Sequence, residues 1–275
     1  MKRKKPIVNL IEYGILILVG CAFALPLIWL VLASVDTKAG PMISMIDEFT
    51  LDNFTAILRT EKYQLGFLNS FIYSVAIAGA VLLGSITAAY PLSRYHIKGA
   101  QKIALSMLFL SSIPAMALIV PTYKIFVWTK LIYKPVSLIC FQAACGLPFA
   151  IWMMKNFFDA VPRELEEAAW VDGAGRIASM RKVLIPLMVP GIFTVTIYTF
   201  INAWSSFTVP YILLNHVDTL PASVLVYAMF GEHGQVNYGH LAAYCTLYML
   251  PVLVLYTGAQ NYMSKGFSMS GASKS

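Results

Sequence analysis

The sequence predicts an all-α polytopic membrane protein with six transmembrane helices. Three observations carry that reading. Of 275 residues, 59% are hydrophobic and only 12% are charged, whereas soluble domains carry about 25% charged residues. The apolar residues fall in long unbroken runs, which suits membrane-spanning helices. They do not alternate with period two, as the strands of an outer-membrane barrel would. Finally, the basic residues sit in short clusters between the runs, as they do in loops at a membrane surface. That placement decides the meaning of the net charge of +7: it argues against nucleic acid as a partner and for membrane lipid.

The elements follow in order. Met1-Lys2-Arg3-Lys4-Lys5-Pro6 is a basic start, and the first span runs from Tyr13 to Ala33, too long for a signal-peptide core. Pro26 inside it predicts a kink. A polar connection follows to about residue 64, in which Thr50 or Asp52 caps a short amphipathic helix through Phe54, Ile57 and Leu58. Leu65 to Ser93 is the second span, Ile103 to Tyr123 the third, with Pro114 and Pro121 in it, and Pro135 to Met154 the fourth. A polar island then occupies Lys155 to Lys182. The fifth span is Ile185 to Leu214, opened by Pro186 and Pro190, and the sixth is Leu241 to Met263, before a tail from Ser264 to Ser275. Between the last two spans, the apolar middle of the 215–240 connection, Ala222 to Phe230, is too short to cross a membrane. Cys21, Cys140, Cys145 and Cys245 all fall inside apolar runs without Cys-x-x-Cys spacing, which reads as free buried thiols.

Lysine and arginine orient the chain. The N-terminus, the 94–102 loop, the island and the tail hold 14 of them, and the opposite face holds six: Lys38, Arg59, Lys62, Lys124, Lys130 and Lys134. The excess places both termini and the island in the cytoplasm.

Pro162 suits the first turn of an island helix, where its missing N–H has no partner to lose. Glu164, Glu166 and Glu167 favour the positive end of the same helix. Leu165, Ala168, Ala169 and Asp172 share one mostly small face, and Gly173 is placed to end the helix in a left-handed conformation. A second short helix has Ile177, Met180 and Leu184 on one side and Arg176, Arg181 and Lys182 on the other, until Pro186 stops it at the membrane. On physical grounds alone, an interfacial amphipathic segment fits this pattern as well as a docking element does.

The chain shows no machinery for chemistry of its own. No Gly-x4-Gly-Lys-Ser/Thr phosphate loop occurs. Glu232-His233 and His240 read as solvated loop residues and lack the spacing of a metal site. The span interiors carry no Asp, Glu, His, Lys or Arg, which argues against intramembrane catalysis and proton coupling. Such an interior suits a neutral polyhydroxylated cargo, recognised by hydrogen bonds and aromatic faces. Candidate cargo contacts are Asn69, Tyr73, Gln142, Tyr198, Asn202, Trp204 and Ser205. Each has helix packing or interface anchoring as its commoner role.

Glu167-Ala168-Ala169, then Gly173 after three residues, then Val183-Leu184-Ile185-Pro186 after nine more, resembles the EAA signature of ABC importer permeases. Val183, Ile185 and Met180 stand where Ile, Leu and Phe are common. Further stretches resemble the MalG-like permeases of carbohydrate importers: Pro26-Leu27-Ile28-Trp29, Leu51-Asp52-Asn53-Phe54, Leu68-Asn69-Ser70-Phe71 and Ala88-Ala89-Tyr90-Pro91-Leu92-Ser93-Arg94. Two departures stand out. Trp204-Ser205-Ser206-Phe207 replaces Trp-Asn-Glu-Phe, removing a common intramembrane carboxylate, and the ending Gly271-Ala272-Ser273-Lys274-Ser275 replaces Gly-Ala-Val-Lys-Gly.

The resemblance implies a type I ABC importer permease fold with both termini cytoplasmic, in the bacterial inner membrane. It implies one domain over 1–275, with a first span and outer connection (1–64), a five-span core (65–263) and a tail (264–275). The coupling segment lies within 155–185. Glu167, Ala168, Ala169, Asp172, Gly173 and Pro186 would dock on a cytoplasmic ATPase. The implied partners are a second homologous permease, a dimer of ATP-binding subunits and an extracellular or periplasmic solute-binding protein. ATP and Mg belong to the ATPase, and no cofactor is bound by this chain. The implied cargo is a sugar or oligosaccharide. The rival readings are the same machinery carrying another solute, such as a polyamine, and a six-span carrier or channel without an ATPase.

Overall fold

In the computed structural model, residues 6–42, 46–231 and 236–272 are described. The basic cluster Lys2–Lys5, the Glu232-His233 pair and Ser273–Ser275 lie outside the described residues. The described residues form helices joined by turns and irregular loops, and the one β pairing among them is an isolated bridge between Asp36 and Phe49. The chain divides into two compact units, residues 1–64 with 225–250 and residues 65–224 with 251–275.

In the first unit, α1 (Pro6–Ser34) carries Pro26 within a continuous helix. From Tyr13 onward its large apolar side chains face outward, Leu18 and Phe23 at 70% and 74% exposure, as a lipid-facing helix requires. Asn53 on α2 (Asp52–Arg59) secures the end of α1 by donating to the Ser34 and Asp36 carbonyls at 3.2 and 3.0 Å. The residue at the cap position of α2 is Leu51, which makes no side-chain cap bond; of the expected caps, Thr50 accepts the Asp52 amide on its hydroxyl at 3.0 Å. Ile57 is buried beside Asn53, while Leu58 is exposed, so the buried face of α2 is half polar.

The second unit is built around α6 (Pro135–Asp159), which packs against α4 (Ala100–Leu110), α5 (Ala115–Trp128), α10 (Val189–Ser205) and α11 (Thr208–Leu213). With α3 (Glu61–Arg94) these helices share a core of Ile77, Val81, Leu138, Phe141, Met154 and Phe158, all at or below 4% exposure. Lipid tails are as apolar as Leu, so close backbone approach, not exclusion of water, holds such helices together. Small residues permit it. A Cβ on Gly191 of α10 would lie 2.6 Å from the Phe157 ring of α6, and one on Gly84 of α3 would lie 2.6 Å from a Leu147 methyl.

Among the described residues, four helices are long and apolar enough to cross a membrane: α1, α3, α6 and α13 (Tyr238–Ala272) over its Tyr238–Gly258 stretch. Two bent pairs raise the number to six if each is one span. α4 and α5 meet at 87°, and Arg176–Leu187 meets α10 at 74°. The third and fifth spans read from the sequence are thus each a bent pair of helices. In the third, Pro114 leaves the preceding residue unsuited to helix, and the chain breaks across Ser111–Pro114. The fifth breaks at Met188, ahead of Pro190, and again at Ser206, whose ψ of 124° separates α10 from α11.

Pro186 also differs from expectation. It does not stop the island's second helix; it lies in α9 (Ile185–Leu187), which continues α8 (Arg176–Ser179) through a π turn at Met180–Leu184. The Ile185 amide reaches back to the Met180 carbonyl, and this wider turn accommodates the missing proline donor. The cysteines are free, as expected, but Cys21 and Cys140 are exposed on the isolated chain.

The glycine contacts predict a graded series. Gly191→Ala should lower the thermal midpoint of the purified protein by a destabilisation of about 1–3 kcal/mol, the usual cost of overpacking. Gly84→Ala should cost less, because a Leu methyl can turn away. Gly79→Ala, whose Cβ meets nothing within 4 Å, should be neutral.

Candidate functional site

Two places in the second unit gather the chemistry-bearing residues: the island, and a cavity beside α6.

The island opens at Pro162 and forms α7 (Glu164–Val171). Its end is a complete left-handed termination. Gly173 has φ +85°, its amide bonds the Trp170 carbonyl at 3.0 Å, and the Ala174 amide bonds the Ala169 carbonyl at 2.9 Å. These are the paired closing bonds that a glycine at this position allows. α7 then packs against α8 and the π turn.

The three glutamates of the first turn have different fates. Glu164 and Glu167 are exposed, while Glu166 is buried at 1%. The Arg94 Nε donates to Glu166 Oε1, and the Tyr90 hydroxyl donates to Oε2 at 3.2 Å. The remaining donors of Arg94 reach the Val161 carbonyl at 3.0 Å, and Arg163 donates to the Ser93 carbonyl. Ser93 in turn donates to Asp159, which Lys155 also contacts. The last turn of α3, the end of α6 and the first turn of α7 thus meet in one polar knot, buried at Arg94, Glu166 and Lys155 and open to solvent at Asp159 and Arg163.

Opposite the knot lies an exposed stripe. Of the predicted docking residues, Glu167, Ala168, Asp172, Gly173 and Pro186 are exposed, and Ala169 is half-buried, turned toward the Glu166 side. The stripe includes two large apolar side chains that the sequence reading did not count among the docking residues: Val171 at 88% and Ile177 at 71% exposure, flanking the Gly173 turn. Apolar side chains left exposed beside a tight turn form a surface that a protein or a membrane could cover. Arg176 lies between them, its guanidinium 5.2 Å from the Tyr95 ring centre and 5.9 Å from that of Trp170.

The predicted cargo residues separate into three groups. Asn69 and Tyr73 clamp the 215–240 connection: Asn69 donates to the Asp218 and Leu220 carbonyls at 2.7 and 3.2 Å, and the Tyr73 hydroxyl to the Thr219 carbonyl at 3.0 Å. Between them, Ser70 accepts the Ala222 amide at 2.8 Å. Trp204 is buried at 2%, stacked on Phe200 with centroids 5.8 Å apart. Ser205 is exposed, bonded back to the Ile201 carbonyl.

Gln142, Tyr198 and Asn202 form the third group. They line one cavity of about 280 Å³ with Ser111, Phe149 and Ser206. No charged side chain contributes to its lining. The Phe149 and Tyr198 rings are 4.9 Å apart. Gln142 donates to the Ser206 hydroxyl at 2.8 Å, while its Oε1 is buried without a hydrogen-bond partner. No side chain lining this cavity pairs a nucleophile with a base.

Comparison with known proteins bears on both places. Residues 80–269 match the model of the family described as "Binding-protein-dependent transport system inner membrane component", a stretch containing both island and cavity. The chain is 30% identical to the sulfoquinovosyl glycerol transport system permease protein SmoH of Agrobacterium fabrum, over 90% of this chain and 87% of that protein. It is 28% identical to the trehalose/maltose transport system permease protein MalG of Thermococcus litoralis, over 96% of each. Among solved structures, it resembles a chain of a bacterial ABC transporter involved in the import of the acidic polysaccharide alginate, with TM-score 0.82 and 19% identity, covering 96% of this chain and all of that one.

The knot yields a prediction. Arg94 and Glu166 have side chains only 5% and 2% exposed, so removing one partner strands a buried charge at a cost of about 3–5 kcal/mol. Arg94→Met and Glu166→Leu should each sharply reduce thermal stability. The double variant should lose much less than the sum, as a double-mutant cycle on the purified protein would register.

Proposed function

The chain belongs to the family of binding-protein-dependent transport system inner membrane components, and on that premise we propose that it is one transmembrane subunit of an ATP-driven sugar or oligosaccharide importer. The match over residues 80–269 carries the reading. The sugar cargo is supported by the named cargoes of the similar permeases and by the uncharged, amide- and aromatic-lined cavity. A polyamine would call for carboxylates along its path, and that lining offers none.

In this proposal the chain crosses the membrane six times, each bent pair counting as one span, with both ends and the island in the cytoplasm, as the lysine and arginine distribution supports. A second homologous permease completes the pathway, a solute-binding protein delivers the cargo, and two cytoplasmic subunits hydrolyse ATP. The chain also resembles, with TM-score 0.68, a bacterial alginate ABC transporter in complex with an alginate pentasaccharide-bound periplasmic protein, which supports such a binding protein.

The island is the coupling element. Glu167, Ala168, Asp172 and Gly173 on its exposed stripe, together with Val171 and Ile177, dock on the ATPase. When ATP closes the ATPase dimer, α7 moves with it. Because Glu166 holds Arg94 and Tyr90, α3 and the end of α6 follow, and access switches from one side to the other. This is two-state coupling through a docked element.

Two outcomes are expected. Val171→Asp and Ile177→Asp should weaken copurification of the ATPase about thirtyfold, the loss of a central interface contact worth about 2 kcal/mol, with membrane insertion intact. Gly173→Val should uncouple hydrolysis from uptake with membrane insertion intact, since a β-branched residue resists its positive φ. Normal uptake by these variants would remove the island from the coupling path. Orientation is checked by Val171→Cys in a cysteine-free background: a membrane-impermeant maleimide should label it in inside-out vesicles and not in intact cells.

A further inference from the structure

We propose that the cavity lined by Gln142, Phe149, Tyr198, Asn202 and Ser206 is a cargo subsite for one ring of a neutral sugar, in which Gln142 pairs a sugar hydroxyl. This rests on the importer reading above and adds to it a direct contact between this subunit and the cargo.

The first ground is where the helices break. Irregular backbone at membrane depth is tolerated only where it is buried in protein or lines a water-filled cavity. Ser111 ends α4 at the 87° bend, Ala115 starts α5 beyond it, and Ser206 separates α10 from α11. All three residues line this one cavity. Two separate breaks opening onto one space indicate a solvated path, since a void enclosed only by packed helices would need neither.

The second ground is the unfinished hydrogen bonding of Gln142. An amide has a donor end and an acceptor end. Ser206 engages one end, and the other is buried without a partner. A buried polar group left unpaired is costly, so a ligand that supplies the missing partner binds with that cost relieved. The terminal amide torsion is broad and soft, so the group can turn to meet an entering hydroxyl.

The third ground is the character of the walls. The Phe149 ring packs between those of Trp152 and Tyr198, with centroid distances of 5.8 and 4.9 Å, and Tyr198 is 44% exposed. Aromatic faces take the apolar C–H face of a sugar ring, while amides and hydroxyls take its rim. At about 280 Å³, the space sits near the small end of ligand pockets, about 300–1,000 Å³, which suits one ring. The neighbouring cavity lined by Leu110, Ile113, Phe126 and Pro148 has little polar lining and offers no such match.

The test uses the complete importer, both permeases, the ATPase and the binding protein, reconstituted in liposomes. A panel of neutral and acidic sugars identifies what is carried, and monodeoxy analogues of that sugar follow. For at least one hydroxyl, the wild-type importer should favour the parent sugar over its deoxy analogue by about two- to tenfold beyond the binding protein's own preference, the net worth of one neutral hydrogen bond. Gln142→Met, similar in length, should abolish that preference at that position alone. A purely structural role would lower uptake of every analogue alike, and this result, or an unchanged preference, overturns the subsite. If Gln142→Met does not assemble, Asn202→Leu takes its place in the same comparison, and undiminished preferences there overturn the subsite too. Transport of acidic sugars only would refute the neutral-ring subsite and leave the importer reading standing. Failure of the wild type to carry any sugar would refute the cargo reading itself.

Discussion

Arg94 and Glu166 are taken out of water together, and much of the second unit is arranged around keeping them paired. A buried carboxylate and guanidinium are tolerable only when their remaining donors and acceptors are met. Here Glu166 takes Arg94 on one oxygen and Tyr90 on the other, while Arg94 spends a further donor on the Val161 carbonyl. Arg163 and Ser93 extend the same network to the end of α6. The result is mechanical as much as thermodynamic. Sliding α7 away from α3 would expose or strand a charge, so small intermediate displacements are disfavoured. A force applied to the outer stripe of α7 is passed on as movement of the whole assembly.

The opposite constraint governs the cavity. There the structure accepts interrupted helices, each interruption freeing backbone groups that hydrocarbon cannot satisfy. Ser111 returns its hydroxyl to the Leu108 carbonyl at 2.6 Å, and Ser223 donates to the Ser206 carbonyl at 2.7 Å. Serines at the breaks thus do locally what regular helix bonds do elsewhere. Gln142 is the exception, with one end of its amide unmet. A packed core would have no reason to keep that defect, and a binding site would.

What the sequence made legible follows the range of the interactions. The island's first helix and its left-handed end could be read from Pro162 and Gly173, because the closing bonds span only a few residues. The fate of Glu166 could not: three glutamates in one turn look alike, and the one that is buried is chosen by an arginine 72 residues away. Tertiary context likewise separated chemically similar candidates. Asn69 and Asn202 read identically as polar residues in apolar runs, yet one holds the carbonyls of the 218–220 segment and the other lines the cavity. The bends escaped because hydropathy passes through a proline without registering direction. Ser111-Ser112-Ile113-Pro114 was the available signal, two helix-competing serines ahead of a proline. Pro186 misled in the other direction, since a π turn lets the helix carry on through it.

Knot and cavity are joined by rods, which bears on how one could act on the other. α6 contributes Gln142 and Phe149 to the cavity and Lys155 and Asp159 to the knot; Phe149 and Asp159 are about 15 Å apart along the axis at 1.5 Å per residue. α10 starts beside the island's second helix and lines the cavity through Tyr198 and Asn202. Gly191 lets α10 press its backbone against Phe157 of α6, so the two helices have little freedom to slide past each other. Coupling between the places then needs no relay of side-chain rearrangements. In the proposed coupling, movement of α7 would carry α6 through the knot and α6 would carry α10 through the glycine contact, with the bends at Ser111–Pro114 and Ser206 as the places where the backbone can yield. The cavity sits at those bends, where a rigid displacement of the rods changes its shape most.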